Sequence, residues 1–167
     1  MKRVVLTLVV VFIASFSFAQ SGTVNNFFSK YKEDRDVKYV SIKGSLFKFL
    51  ESVTEEVEDD DAQMIGRIAE GINGVEILSV PKYETEVSKS EIDALFSGLK
   101  KDNYEELMYV KEGRKTVRVY ASNKNSKVTN MLIVADEKDE LALINIDGSI
   151  DLKDVSTFMN HSNKWKD

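Results

Sequence analysis

The chain has 167 residues, with 23 Lys and Arg against 28 Asp and Glu, no Cys, one His and one Pro. Without Cys there is no disulfide, no zinc–thiolate site and no thiol nucleophile, and one imidazole excludes a His-rich metal site. The formal charge of −5 argues against nucleic acid as a partner.

Residues 1–19 read as a leader. Met1-Lys2-Arg3 is basic, Val4 to Phe18 is almost wholly apolar, and Ser17-Phe18-Ala19 sets small residues two apart before Gln20. These are the parts of a cleavable secretory signal. The apolar run is shorter than the roughly 20 residues of a membrane span. No Cys follows it to take a lipid. The expected product is residues 20–167, a single domain, exported to the periplasm or secreted and not lipid-anchored. A chain of that length buries enough surface to fold without staples.

Val24, Phe27, Phe28 and Tyr31 recur at helical spacing, with Thr23 as a candidate cap. Val37 to Lys43 reads as a strand. From Ser45 a helical pattern returns in Leu46, Phe47, Leu50 and Val53. It is broken by an acidic run, Glu55, Glu56, Glu58, Asp59, Asp60 and Asp61. A further helix carries Met64, Ile65, Ile68 and Ile72 on one face, with Asp61 as its N-cap. Asn73-Gly74 punctuates, and Val75–Val80 is a strand closed by Pro81.

Ser88 to Lys101 is the clearest helix. Ile92, Leu95, Phe96 and Leu99 form its apolar stripe, Ser88 with Glu91 a capping box, and Lys100 and Lys101 complement its negative end. Four strands follow on short polar turns: Tyr104–Glu112, Lys115–Ser122, Lys127–Ala135 and Leu141–Ile146. Such strands pair antiparallel. Met131-Leu132-Ile133-Val134 places the third of them near the sheet centre, covered on both faces over part of its length. Thr116, Arg118 and Tyr120 alternate with Val117, Val119 and Ala121, so that strand is expected to turn Arg118 and Tyr120 to water. Gly148 is expected to turn the chain into a last helix, Asp151 to about Asn160, with Leu152, Val155 and Met159 inward. A polar tail, 160–167, closes the chain.

The element order is therefore α-β-α-α-β-α-β-β-β-β-α. The expected class is α+β, a mostly antiparallel sheet of about six strands with helices packed on one face. The first two strands are expected to join it in parallel through the helical connection, at positions the pattern does not fix.

A family resemblance rests on particular segments: Tyr104-Glu105-Glu106-Leu107-Met108-Tyr109-Val110-Lys111 with Gly113, and Gly148-Ser149-Ile150-Asp151-Leu152. Phe27-Phe28 with Tyr31, and Gly74-Val75-Glu76-Ile77-Leu78, also fit. Over Thr23 to Met159 the chain resembles the bacterial domain of unknown function 4252, found in small exported proteins of Bacteroidetes. The resemblance implies an envelope-associated protein of unknown activity and supplies no catalytic residues. Some relatives are anchored through an N-terminal Cys, which this chain lacks.

The remaining motifs read more simply as structure than as chemistry. The acidic run suits the start of the next helix better than a Ca²⁺ loop, because it lacks the Gly-turn spacing. Asn145, Asp147, Gly148, Ile150 and Asp154 match part of an EF-hand loop, but Leu143 holds its first position. A β-turn leading to Asp151 as an N-cap is the plainer reading. Three S-x-x-K matches, at Ser45, Ser79 and Ser97, lack the partner motifs of penicillin-recognising enzymes. Gly71-Ile-Asn-Gly74 reads as a helix C-cap and a turn. His161 and Trp165 lie in the tail, where Trp165 is a candidate anchor for a partner.

No catalytic, cofactor or metal residue is assigned, and no cofactor is expected. The leading expectation is a non-enzymatic interaction module of the cell envelope, binding an unidentified envelope protein or surface component. Its candidate surface is the acidic run together with Arg118 and Tyr120. The alternatives are a small carboxylate-dependent hydrolase and a purely structural envelope protein.

Overall fold

A computed structural model describes residues 22–54, 66–85, 87–124 and 127–151. The leader, the acidic run Glu55–Asp61, Met64, Ile65, the closing helix and the tail with His161 and Trp165 lie outside the described residues.

Helix α1 (Thr23–Tyr31) buries Val24, Phe27, Phe28 and Tyr31, the stripe its spacing predicts. Gly22, not Thr23, is its N-cap, and no side chain of the cap residue closes it. The carboxylate of Asp102 does so from far along the chain, accepting from Thr23 N at 2.6 Å. Strand β1 (Lys38–Lys43) runs directly into helix α2 (Gly44–Thr54). Residues 66–70 are helical and lead into strand β2 (Ile72–Pro81). Asn73-Gly74 does not separate helix from strand. Both lie inside β2, at an irregularity in its pairing with strand β6.

Helix α3 (Lys89–Lys101) carries the expected capping box: Ser88 Oγ accepts from Glu91 N at 3.3 Å, and Glu91 Oε2 accepts from Ser88 N at 2.9 Å. Strands β3 (Tyr104–Glu112), β4 (Lys115–Lys124), β5 (Lys127–Asp136) and β6 (Glu140–Asp151) form the meander.

The six strands make one sheet in the order β1-β2-β6-β5-β4-β3, and every pairing is antiparallel. The α+β class and the antiparallel meander stand as expected, with β5 and β6 at the sheet centre. The parallel junction is corrected. Strand β2 docks antiparallel on β6, with Leu78 opposite Leu143 and Val80 opposite Leu141. That pairing buries aliphatic against aliphatic, which a parallel insertion elsewhere would not.

Gly148 is also corrected. The strand continues through it to Asp151. Its role is close approach: a Cβ there would stand 2.3 Å from the Gly71 carbonyl oxygen. The neighbouring Ser149 N–H donates to that same oxygen at 2.6 Å. Only a residue without a side chain lets the two backbones meet this closely.

Side chains alternate across the sheet. One face carries Leu78, Val80, Leu132, Val134, Leu141 and Leu143, all buried beneath α1 and α3 in a single core. The opposite face carries Val40, Ile77, Ile144, Ile133, Val119 and Met108 at the facing positions of the six strands. These residues are half-buried on the four inner strands and exposed at the two edges, Val40 at 49% and Met108 at 46%. Strand β5 buries Leu132 and Val134 on the helix-covered face, and over part of its length the opposite face is closed as well: Ile133 is half-buried there, and Ala121, which faces Met131, is 0% exposed.

Candidate functional site

Strand β4 sends Arg118 and Tyr120 to the helix-covered face, opposite the direction expected from alternation alone. The choice follows from what each face has to bury. Val134 and Leu132 are the β5 partners of Arg118 and Tyr120, and both belong to the core. Tyr120 is accordingly 4% exposed and is a core residue.

Arg118 is held between two aromatic rings. Its guanidinium lies 4.7 Å from the Phe96 ring centre of α3 and 4.8 Å from that of Tyr109 on β3. Such stacking suits the planar guanidinium and would not suit an ammonium equally. Nη1 is 3.3 Å from Glu106 Oε2 and donates to the Tyr120 hydroxyl at 3.5 Å. Tyr120 in turn donates to Glu106 Oε2 at 2.8 Å. Phe96 also packs on Tyr120, with ring centres 5.8 Å apart.

The hydrogen bond with Tyr120, followed by the nearby Glu106 carboxylate, keeps Arg118 above its ordinary pKa. Burial, the largest influence on Tyr120, pushes its hydroxyl up, and Arg118 opposes this only in part. Arg118 Nε is buried and finds no acceptor among the described residues. A cavity of about 430 Å³ adjoins this cluster, lined also by Ser97, Lys100 and Tyr104. A guanidinium fixed on both faces keeps one orientation and offers its edge to an incoming acceptor.

Two further cavities lie nearby along α1 and α3. One, of about 350 Å³, lies where the start of α1 meets the end of α3, and Asp102 is its carboxylate. The other, of about 280 Å³, lies between α1 and α3, with Glu91. Each of the three is lined by a single carboxylate, whereas two-acid hydrolysis needs a pair. Among the described residues no group of three or more His, Asp or Glu is placed to hold a metal ion. Asn145 and Asp147 lie within strand β6, so the partial EF-hand match has no loop to form.

Of the predicted surface, the structure brings Arg118 and Tyr120 together and adds Glu106, Tyr109 and Phe96 to them. Tyr109 is readable in retrospect from hairpin arithmetic. Counting back from Glu112 opposite Lys115 puts Tyr109 opposite Arg118. Glu106 is not readable this way, because an irregularity between Glu106 and Met108 shifts the register before Tyr120. Six acids of the predicted surface fall in the acidic run, outside the described residues.

The fold defines an α+β protein in which α1 and α3 pack on one face of the sheet and leave the opposite face uncovered by them. Residues 31–158 match the family described as Domain of unknown function (DUF4252), and the chain belongs to that family. No curated protein and no solved structure is detectably similar to it.

Proposed function

We propose that the protein is an exported interaction module of the cell envelope that engages its partner through the uncovered face of the sheet. The observation carrying this reading is the apolar character of that face from edge to edge: Val40, Ile77, Ile144, Ile133, Val119 and Met108. Contiguous apolar surface of this kind marks interaction sites, since exposing it to water is unfavourable. Strand β3 adds to it at the sheet edge, with Met108 46% exposed. The leader pattern of residues 1–19 supports export. No helix among the described residues is long and apolar enough to cross a membrane.

The caged Arg118 gives the same sheet a polar counterpart on the covered side. Its stacking restricts the guanidinium to one orientation, which suits recognition of an acceptor more than turnover.

Adjacent residues of β5 provide the test. Ile133 points to the uncovered face and Leu132 into the core. Ile133→Lys, at a half-buried position, is expected to lower stability by about 0.5–3 kcal/mol and to leave a folded fraction to be tested. It is also expected to abolish partner capture from crosslinked envelope extract. Leu132→Ala is expected to lower stability by about 2–5 kcal/mol and to leave capture by the folded fraction intact. Capture that survives Ile133→Lys would remove the uncovered face from the proposal.

A further inference from the structure

The cleft of about 350 Å³ at the meeting of α1, α3 and the sheet has a polar floor set into an aliphatic core. Asn145 forms that floor. It is 6% exposed and pairs in register with Leu132, which is fully buried. A leucine would complete the face at this position. The asparagine instead reaches Glu76 Oε2 with Nδ2 at 3.4 Å, while Glu76 Oε1 accepts from the Tyr39 hydroxyl.

Asn145 Oδ1 accepts no hydrogen bond from the described residues. The amide cannot be turned to avoid this. Rotating it would set its carbonyl against the Glu76 carboxylate, acceptor against acceptor. The unsatisfied atom is therefore an acceptor, buried in a residue that lines the cleft. An unmade bond at a buried polar atom is unfavourable and calls for a specific reason.

The surroundings select the kind of donor. Asp102 lines the cleft at the C-terminal end of α3, where the helix dipole is negative. Tyr104 forms one wall. Burial above all pushes its hydroxyl pKa up, and the charges of Asp102 and Asp147, which make the field here negative, add to this. The amide nitrogen of Asn130 is committed to Asp147 Oδ1 at 3.0 Å. Lys101, the cation on the lining, is exposed.

We infer that this cleft is a binding site for a small ligand headed by a primary ammonium group, which donates to Asn145 Oδ1 and to the Asp102 carboxylate. The site is separate from the uncovered sheet face and does not depend on it.

The test is an amide-resolved NMR titration of the isotopically labelled protein with propylammonium chloride. Propanol and sodium chloride at matched ionic strength serve as controls. The expected result is a saturable shift confined to the side-chain amide of Asn145 and the backbone of Asp102, Asn103 and Tyr104, given by propylammonium alone. Asn145→Leu is expected to weaken that binding by about tenfold, the loss of one hydrogen bond to a charged donor. It is also expected to raise the urea midpoint, because a buried unpaired acceptor is removed.

Three outcomes overturn the inference. The Asn145 amide stays unmoved at saturating propylammonium, and the acceptor is then met by water. Propanol shifts it equally, and the negative field then selects nothing. Asn145→Leu lowers the midpoint while leaving the titration unchanged, and the asparagine is then structural.

Discussion

Tyr104 shows how much a single side chain reports here. Its hydroxyl is raised by burial and by two carboxylates, and those of Tyr120 and Tyr39 are raised as well, the latter chiefly by its hydrogen bond to Glu76. A tyrosine raised in the folded state stays neutral at a pH where the unfolded chain has already ionised. Its contribution is complete below the unfolded value near 10 and is lost as pH climbs from there through the folded value. Stability is therefore expected to fall steeply above about pH 10. Tyr104→Phe is expected to flatten that decline without affecting stability at pH 7 by a comparable amount. Urea unfolding across the alkaline range checks it, and an unchanged slope in the variant would show that Tyr104 is not desolvated. The same scale explains what the sequence could not disclose. Arg118 and Tyr120 stood out as alternating polar residues, but alternation fixes only that they share a face. Which face is covered depends on Phe96, Leu132 and Val134, which lie far from them along the chain.

Among the elements, helix α3 was the most legible, because its signals are local. The stripe of Ile92, Leu95 and Leu99 is buried, the capping box closes, and Lys100 and Lys101 sit in the last turn. Ser88→Ala removes the acceptor for Glu91 N. It is expected to cost about 1 kcal/mol, read as a lower denaturation midpoint with unchanged cooperativity. Lys30 of α1 also pairs with Glu91, so Glu91 serves both the cap and the contact between helices. Strand boundaries were less legible. The sequence offered Asn73-Gly74 and Gly148 as turns, and both lie within strands. Glycine marks a place where the backbone needs room, and sequence does not say whether a turn or a neighbouring strand claims it. Here the claimant of Gly148 is Gly71, a contact that exists only once β2 and β6 are side by side.

For the molecule as a whole, that contact joins the early strands to the meander. The β2–β6 pairing attaches β1 and β2 to the rest of the sheet and brings Leu78 and Val80 to Leu141 and Leu143. Gly148→Ala forces a Cβ against backbone, which a flexible side chain cannot relieve. It is expected to destabilise by about 1–3 kcal/mol. Because one core spans both halves, the loss should appear as a shifted but still single unfolding transition. Two separate transitions in the variant would mean that the meander folds without β1 and β2. The class, the meander and its central strands were visible in sequence because hairpins are local. The docking of β2 was not, because Ser79 and Glu140, which meet across it, are 61 residues apart.

This strand order also imposes a timetable. A chain is made from its N-terminus, yet β2 finds its inner neighbour only in β6, the last strand of the sheet. Until Glu140–Asp151 has emerged, Leu78 and Val80 have no floor to lie on, and α1 has only α3 for company. The first half of the molecule is thus built to wait. Its final strand works as a latch that converts a collection of local hairpins and helices into one fold. A chain cut short before Glu140 would open two further sheet edges, at β2 and β5, and take Leu141 and Leu143 out of the core.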